Sequence, residues 1–266
     1  MSVTNELGGA SGSGYVPALK TKDSPVGGRV TRVLGRTTGR VHHLLNDHQT
    51  AVFYELDWHD LVVDIREHFR LSKTLTRAAC AALGVELCES SGTKLPKMFI
   101  TDFLVTLLAR EGEQLLAIAA PRTKGCHCQA TLNRLAVQKE YWSARQVPFV
   151  VWRETKLEKT RAQNLAFLHE YHSADRWSAE APQYWKKLTD ELLTVANRLP
   201  PPTTLQSLFI HFDSTSGRPA GSAIQAYRYL ASKKLIPFDL NRTFVPTQVV
   251  LDLSNGNKLD LSRAQS

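Results

Sequence analysis

At 266 residues with 42% apolar content, the chain is long enough to fill one large core or two ordinary ones, and two domains are expected. Its 33 basic and 25 acidic residues leave a formal charge of +8, so a polyanion is the first partner to consider, provided the charge gathers on one face. No apolar run approaches the ~20 residues of a membrane span. Residues 1–14 also lack the basic and apolar regions of a secretory leader, so a soluble, cytoplasmic protein with no membrane partner is expected.

Residues 1–14 are rich in Gly and Ser and read as a disordered lead-in. From 15 to 43, Lys20, Lys22, Arg29, Arg32, Arg36 and Arg40 are opposed in acid only by Asp23. That composition suits either a flexible basic arm over residues 1–40, lying along phosphates, or a solvated irregular surface. Ordered structure is expected from about Val41. Asn46 or Asp47 can cap a helix with Val52, Phe53 and Leu56 on one side, ended by Asp57-Trp58-His59-Asp60. Residues 61–65 have the β-branched content of a strand continuing through Phe69; residues 72–83 read as a helix, which Ser90-Ser91-Gly92 breaks.

Residues 97–152 organise the rest. Residues 98–108 form an apolar strand carrying Asp102, Arg110-Glu111-Gly112-Glu113 is a turn, and residues 115–120 return as the partner strand. Leu132, Leu135, Ala136 and Trp142 mark a helix over 131–146, and residues 148–152 are a further strand. The order is that of an α/β domain with helices covering a mixed sheet. An acid on one strand facing an adjacent strand is the frame of many metal-dependent nucleases.

Helices dominate afterwards. Residues 160–171 form one, and Trp185, Leu188, Leu192, Val195 and Leu199 mark a second that Pro200-Pro201-Pro202 stops. A short helix over 222–234 is followed by a strand at 249–253, suggesting a small winged-helix-like unit able to hold DNA or a protein. Between Ser214 and Phe238 the charged residues are Arg218, Arg228, Lys233 and Lys234, all basic. The four cysteines, Cys80, Cys88, Cys126 and Cys128, suit a reducing compartment. Cys126-His127-Cys128 has no second Cys or His pair nearby and falls short of the usual zinc set.

Several stretches together resemble TnsA, the endonuclease subunit of heteromeric transposases: Thr38-Gly39-Arg40-Val41-His42-His43-Leu44-Leu45, Ala51-Val52-Phe53 before Trp58, Asp64-Ile65-Arg66-Glu67, Thr101-Asp102-Phe103-Leu104-Val105, and Tyr141-Trp142 with Val147-Pro148. The resemblance covers residues 36–152 well and the later helices loosely. It implies a restriction-endonuclease-like domain over 41–155 and a mainly helical, winged-helix-like domain over 156–266. It also implies double-stranded transposon-end DNA, an integrase-like transposase subunit and an AAA+ ATPase regulator as partners, in a prokaryotic cytoplasm.

Such a nuclease uses a helix acid, a strand acid and a partner-strand lysine around Mg²⁺. The resemblance puts the strand acid, catalytic and metal-binding, at Asp102. The helix acid falls on Gln49, the Gln-x-Lys of the partner strand on Ala119-Ala120-Pro121, and a further acid on Gln138. An uncharged amide loses most of its attraction for a hard cation, and proline supplies neither cation nor N–H. Asp102 alone would hold a metal weakly.

The leading expectation is therefore a transposase subunit that binds DNA and partner proteins with a silent centre. Two alternatives remain open: an active Mg²⁺-dependent nuclease with an altered centre borrowing Lys124, or a stand-alone DNA-binding regulator. Mg²⁺ is the expected cofactor if the centre is active, and none otherwise. Phosphate contacts are expected at Arg40, His42, His43, Arg66 and Lys124, and at Lys233 and Lys234 in the second domain.

Overall fold

The computed structural model describes residues 10–23, 29–85, 99–121, 128–153, 156–200, 202–247 and 250–251. The chain divides into two compact units, Met1–Lys159 and Thr160–Ser266. Among the described residues no helix is long and apolar enough to cross a membrane.

The first unit opens with a hairpin, β1 (Thr31–Leu34) against β2 (Val41–Leu44). Its turn is tight: a Cβ at Gly35 would lie 2.7 Å from both His42 Nε2 and Thr38 Oγ1, so only glycine fits. Helix α1 (Asp47–Trp58) follows, with Asn46 as N-cap accepting from the Gln49 amide. Then come β3 (Val62–Arg70), α2 (Lys73–Ala82), β4 (Ile100–Ala109), β5 (Gly112–Ala119), α3 (Gln129–Ser143) and β6 (Phe149–Val151). The main sheet runs β3-β4-β5-β6. Its first two pairings are antiparallel and β5 with β6 is parallel, which makes it mixed.

One face of this sheet packs on α1 through Phe53, Ile65, Phe103, Val105 and Ile118. The other packs on α3 through Leu104, Ala117, Val137, Tyr141 and Trp142. Burying each such large side chain contributes about 1.5–3 kcal/mol, so the near-continuous apolar run of β4 pins that strand between two helical layers.

Strand β1 and the residues before it fall within 1–40, the stretch expected to be a flexible arm. For residues 10–23 and 29–40 that reading is corrected. Strand β3 is the sheet edge, and its free carbonyls need donors. The Tyr15 hydroxyl donates to Glu67 O at 3.0 Å, Ala18 N to His68 O at 3.1 Å and Arg40 Nη2 to Ile65 O at 2.7 Å. Gly12 N also donates to Asp64 Oδ1 at 3.1 Å. Residues 1–9 and the Ser90-Ser91-Gly92 break lie outside the described residues.

The second unit contains α4 (Lys156–His172, whose first residues belong to the first unit), α5 (Ala181–Ala196), β7 (Thr203–Thr204), α6 (Leu205–Thr215), α7 (Ser222–Ser232) and β8 (Val250–Leu251). Leu188, Leu192, Leu205, Leu208, Phe212, Ala226 and Tyr227 fill its core. Trp185 stacks on Tyr229 with ring centroids 5.0 Å apart. Strand β8 pairs with β7, which precedes α6, so the short ribbon joins segments far apart in sequence. The rest of the expected terminal strand, Val249, Asp252 and Leu253, lies outside the described residues.

Candidate functional site

Asp102 sits near the start of β4, where the regular side-chain alternation breaks. Thr101 and Leu104 face α3: Thr101 Oγ1 donates to Gln138 Oε1 at 3.0 Å and accepts from Trp142 Nε1 at 2.8 Å, while Leu104 packs in the cluster on that side. Asp102 and Phe103 both face α1. The opposite stretch of β3 does the same. His68 has φ +49°, left-handed backbone that a buried histidine rarely adopts, and both it and Glu67 point toward β2. A paired irregularity in two neighbouring strands therefore turns the Asp102 carboxylate toward the helix that carries Gln49.

Both carboxylate oxygens then meet protein donors. Gln49 Nε2 donates to Asp102 Oδ1 at 2.8 Å, and Ala120 N donates to Oδ2 at 2.7 Å. The orientation of the Gln49 amide is set by Leu45, whose backbone N–H donates to Gln49 Oε1 at 2.9 Å. A backbone N–H can only donate, so the side-chain oxygen must face it and the NH₂ must face Asp102.

The structure thus brings Asp102, Gln49 and the Ala119-Ala120 strand end together. Pro121 is buried beside them, and Ala120 is part of the core. Gln138 is also buried, but on the α3 face, joined through Thr101 rather than to Asp102. Among the described residues no group of three or more His, Cys, Asp or Glu side chains could hold a metal ion. The donor set at Asp102 does not fit Mg²⁺, which takes oxygen ligands. Each Asp102 oxygen carries an N–H, and the one further side-chain oxygen beside it, that of Gln49, is held by Leu45. Lys124, with Arg122, Cys126 and His127, lies outside the described residues.

Next to this centre lies a buried ionic cluster that sequence reading did not isolate. The Glu67 carboxylate is fully buried and accepts from Arg40 Nη1 at 2.9 Å, Arg40 Nη2 at 2.5 Å, His42 Nδ1 at 2.8 Å and His43 N at 3.1 Å. His42 Nε2 in turn meets Thr38 Oγ1 at 2.7 Å. Burial by itself would raise the Glu67 carboxyl, but the hydrogen bonds and charges of Arg40 and His42 outweigh it and hold the group far below the ordinary glutamate range. Arg66 is likewise interior, 3.1 Å from Asp64 Oδ2 and bonded to Thr106 Oγ1.

The expectation that Arg40, His42 and Arg66 touch phosphate is therefore corrected. All three are buried, and the Arg40 and His42 side chains tie the hairpin to the sheet edge through Glu67. His43 remains half-buried on β2, opposite Arg32, with Lys20 nearby; burial, opposed by Glu67 and reinforced by Lys20 and Arg32, lowers its imidazole below the ordinary value. In the second unit Lys233 Nζ is 3.0 Å from Asp175 Oδ2, which leaves it a partner already, while Lys234 is exposed.

A mixed sheet covered by helices, with an acid aimed at its first long helix, defines the class as α/β. Residues 157–240 match the sequence family described as TnsA endonuclease C terminal. Over 162 residues the chain is 32% identical to the transposon Tn7 transposition protein TnsA of Escherichia coli, an alignment covering 61% of this chain and 58% of that protein. The chain is thus similar to TnsA over these stretches, and it spans somewhat over half the length of that relative.

Glu67 and His68 had only a weak signal beforehand. Asp64-Ile65-Arg66-Glu67 stood out as part of the resemblance, but nothing in it says that Glu67 would be a buried hub or that His68 would adopt a left-handed backbone.

Proposed function

We propose that this chain is a TnsA-like subunit of a heteromeric DNA transposase, binding transposon-end DNA and partner transposition proteins, with a nuclease-type centre that does not cut. The first unit is the restriction-endonuclease-like part and the second the winged-helix-like part. An integrase-like transposase subunit and an AAA+ ATPase regulator are the protein partners, in a prokaryotic cytoplasm. The observation that carries this reading is the Gln49 amide bonded to Asp102, in a centre with no second carboxylate among the described residues and with proline where the resemblance expects lysine. Lys20, Arg32 and His43 of the first unit and Lys234 of the second are the phosphate contacts.

The test is a nicking assay on transposon-end duplex with Mg²⁺ or Mn²⁺, alongside Asp102→Ala. No cleavage by either protein is expected, with DNA binding that weakens steeply as salt rises. Nicking that Asp102→Ala abolishes would establish the altered-centre nuclease instead. Salt-sensitive DNA binding without copurification of any integrase-like or ATPase protein would point to a stand-alone regulator.

A further inference from the structure

The Asp102 centre is complete without an ion, and this has a consequence for how the protein meets DNA. In a centre built from two or more carboxylates, the acids repel one another and the phosphodiester until a cation neutralises them. Here, among the described residues, one carboxylate stands at the centre, and its two oxygens are met by N–H donors from α1 and from the end of β5.

The Gln49 amide cannot turn round to offer its oxygen. Leu45 N–H holds that oxygen, and the Gln49 backbone N–H is itself tied to Asn46 Oδ1 at 2.9 Å. A cation entering the site would have to break the bonds at Asp102 and would find the nearest amide oxygen already engaged. Exposed Lys20 and Arg32 flank His43 on the same side, and the His43 carbonyl accepts from His68, at the β3 position facing Asp102. These exposed cations act on the His43 imidazole alongside the buried Glu67 carboxylate, so a DNA phosphate approaching this side meets protein cations at the surface.

We propose that Gln49 is a positioning residue that stands in for the divalent cation, so that this chain assembles its centre and binds the DNA backbone independently of Mg²⁺. This rests on the silent-centre reading above, and it specifies what the altered residue does.

The experiment uses the full chain, a duplex oligonucleotide of arbitrary sequence, and buffers of matched ionic strength containing EDTA, Mg²⁺ or Mn²⁺. Wild-type DNA affinity is expected to agree within about twofold across the three, since phosphate contact is sequence-independent. Its Tm is expected to be unmoved by Mn²⁺. Gln49→Glu restores a second carboxylate beside Asp102. It is expected to bind DNA roughly tenfold more weakly in EDTA, to recover in Mn²⁺, and to show a Tm that climbs with Mn²⁺ concentration by mass action. Gln49→Met, which loses the donor without adding charge, should lower Tm equally in EDTA and Mn²⁺.

A wild-type Tm or DNA affinity that rises with either divalent ion overturns the proposal, as does a folded Gln49→Glu protein indifferent to Mn²⁺. If the wild type binds no DNA in any buffer, the DNA-binding function fails, and metal-independent DNA binding fails with it. The Tm series then decides separately whether Gln49 stands in for the cation.

Discussion

Among single residues, Glu67 carries the largest electrostatic load. Replacing it with Gln leaves the buried Arg40 guanidinium with half its bidentate partner. Breaking a buried pair of this kind costs about 3–5 kcal/mol, which urea unfolding at pH 7 should show. The pH dependence has a definite sign. Because the folded carboxyl lies below its ordinary 4.5, the unfolded chain binds the proton more tightly. The contribution is full above about 4.5 and is lost as pH falls from there through the folded value. A Tm profile from pH 7 to pH 3 should drop more steeply below that point for the wild type than for Glu67→Gln. Thr101→Val is a second test at this scale. It removes the acceptor of the buried Trp142 N–H and the donor to Gln138, at about 1–3 kcal/mol, without touching Asp102.

Among elements, the long periodic ones were legible and the ones defined by partners were not. The cap at Asn46, one of the two positions expected, and the apolar stripe of α1 announce themselves locally, whereas the turn expected over Arg110-Glu111-Gly112-Glu113 is shorter, since Gly112 and Glu113 already pair in β5 with Ala109 and Leu108. Helix α6 has Leu205, Leu208, Phe209 and Phe212 at helical spacing, but the prolines before it and the Ser and Thr around it blur its ends in the sequence. Its link to α7 depends on Asp213, which accepts from Gly221 N at 2.7 Å and Ala223 N at 3.0 Å and so caps α7 from a distance. Asp213→Ala is expected to cost about 1 kcal/mol, read as a lower denaturation midpoint with unchanged slope. The β1–β2 hairpin went unread for a different reason. Its strands are short and rich in Arg and His, and what stabilises them is Glu67, which lies 24 or more residues away in the chain.

At the scale of the whole molecule, each unit has a core of its own. Among the described residues, the second unit's main buried cluster is drawn from residues 171–244, with Phe167 packed on Phe238 and Phe244. A fragment beginning at Lys156 is therefore expected to fold alone and unfold in one cooperative transition, followed by the near-UV circular dichroism of the Trp185–Tyr229 stack. A broad, non-cooperative loss of that signal would show that the unit needs the rest of the chain. The net charge of +8 distributes less simply than composition suggests. Arg40 and Arg66 are consumed in the interior, Arg228 lies over the Phe167 and Tyr171 rings, and Arg218 is held by Glu191. The cations left on the surface are fewer than the count, so mutation of Lys20 or Arg32 should reduce the salt slope of DNA binding.

The sequence by itself determined the order of helices and strands around Asp102, because residue types and periodicity are local properties, while the resemblance put Gln49 and Pro121 where an acid and a lysine are expected. It could not determine which way Asp102 points. That is decided by the paired irregularity at His68 and Asp102, which puts two successive side chains of each strand on one face. Nor could it show that Gln49 is a donor, since an amide has two ends and only the tertiary position of the Leu45 N–H selects between them.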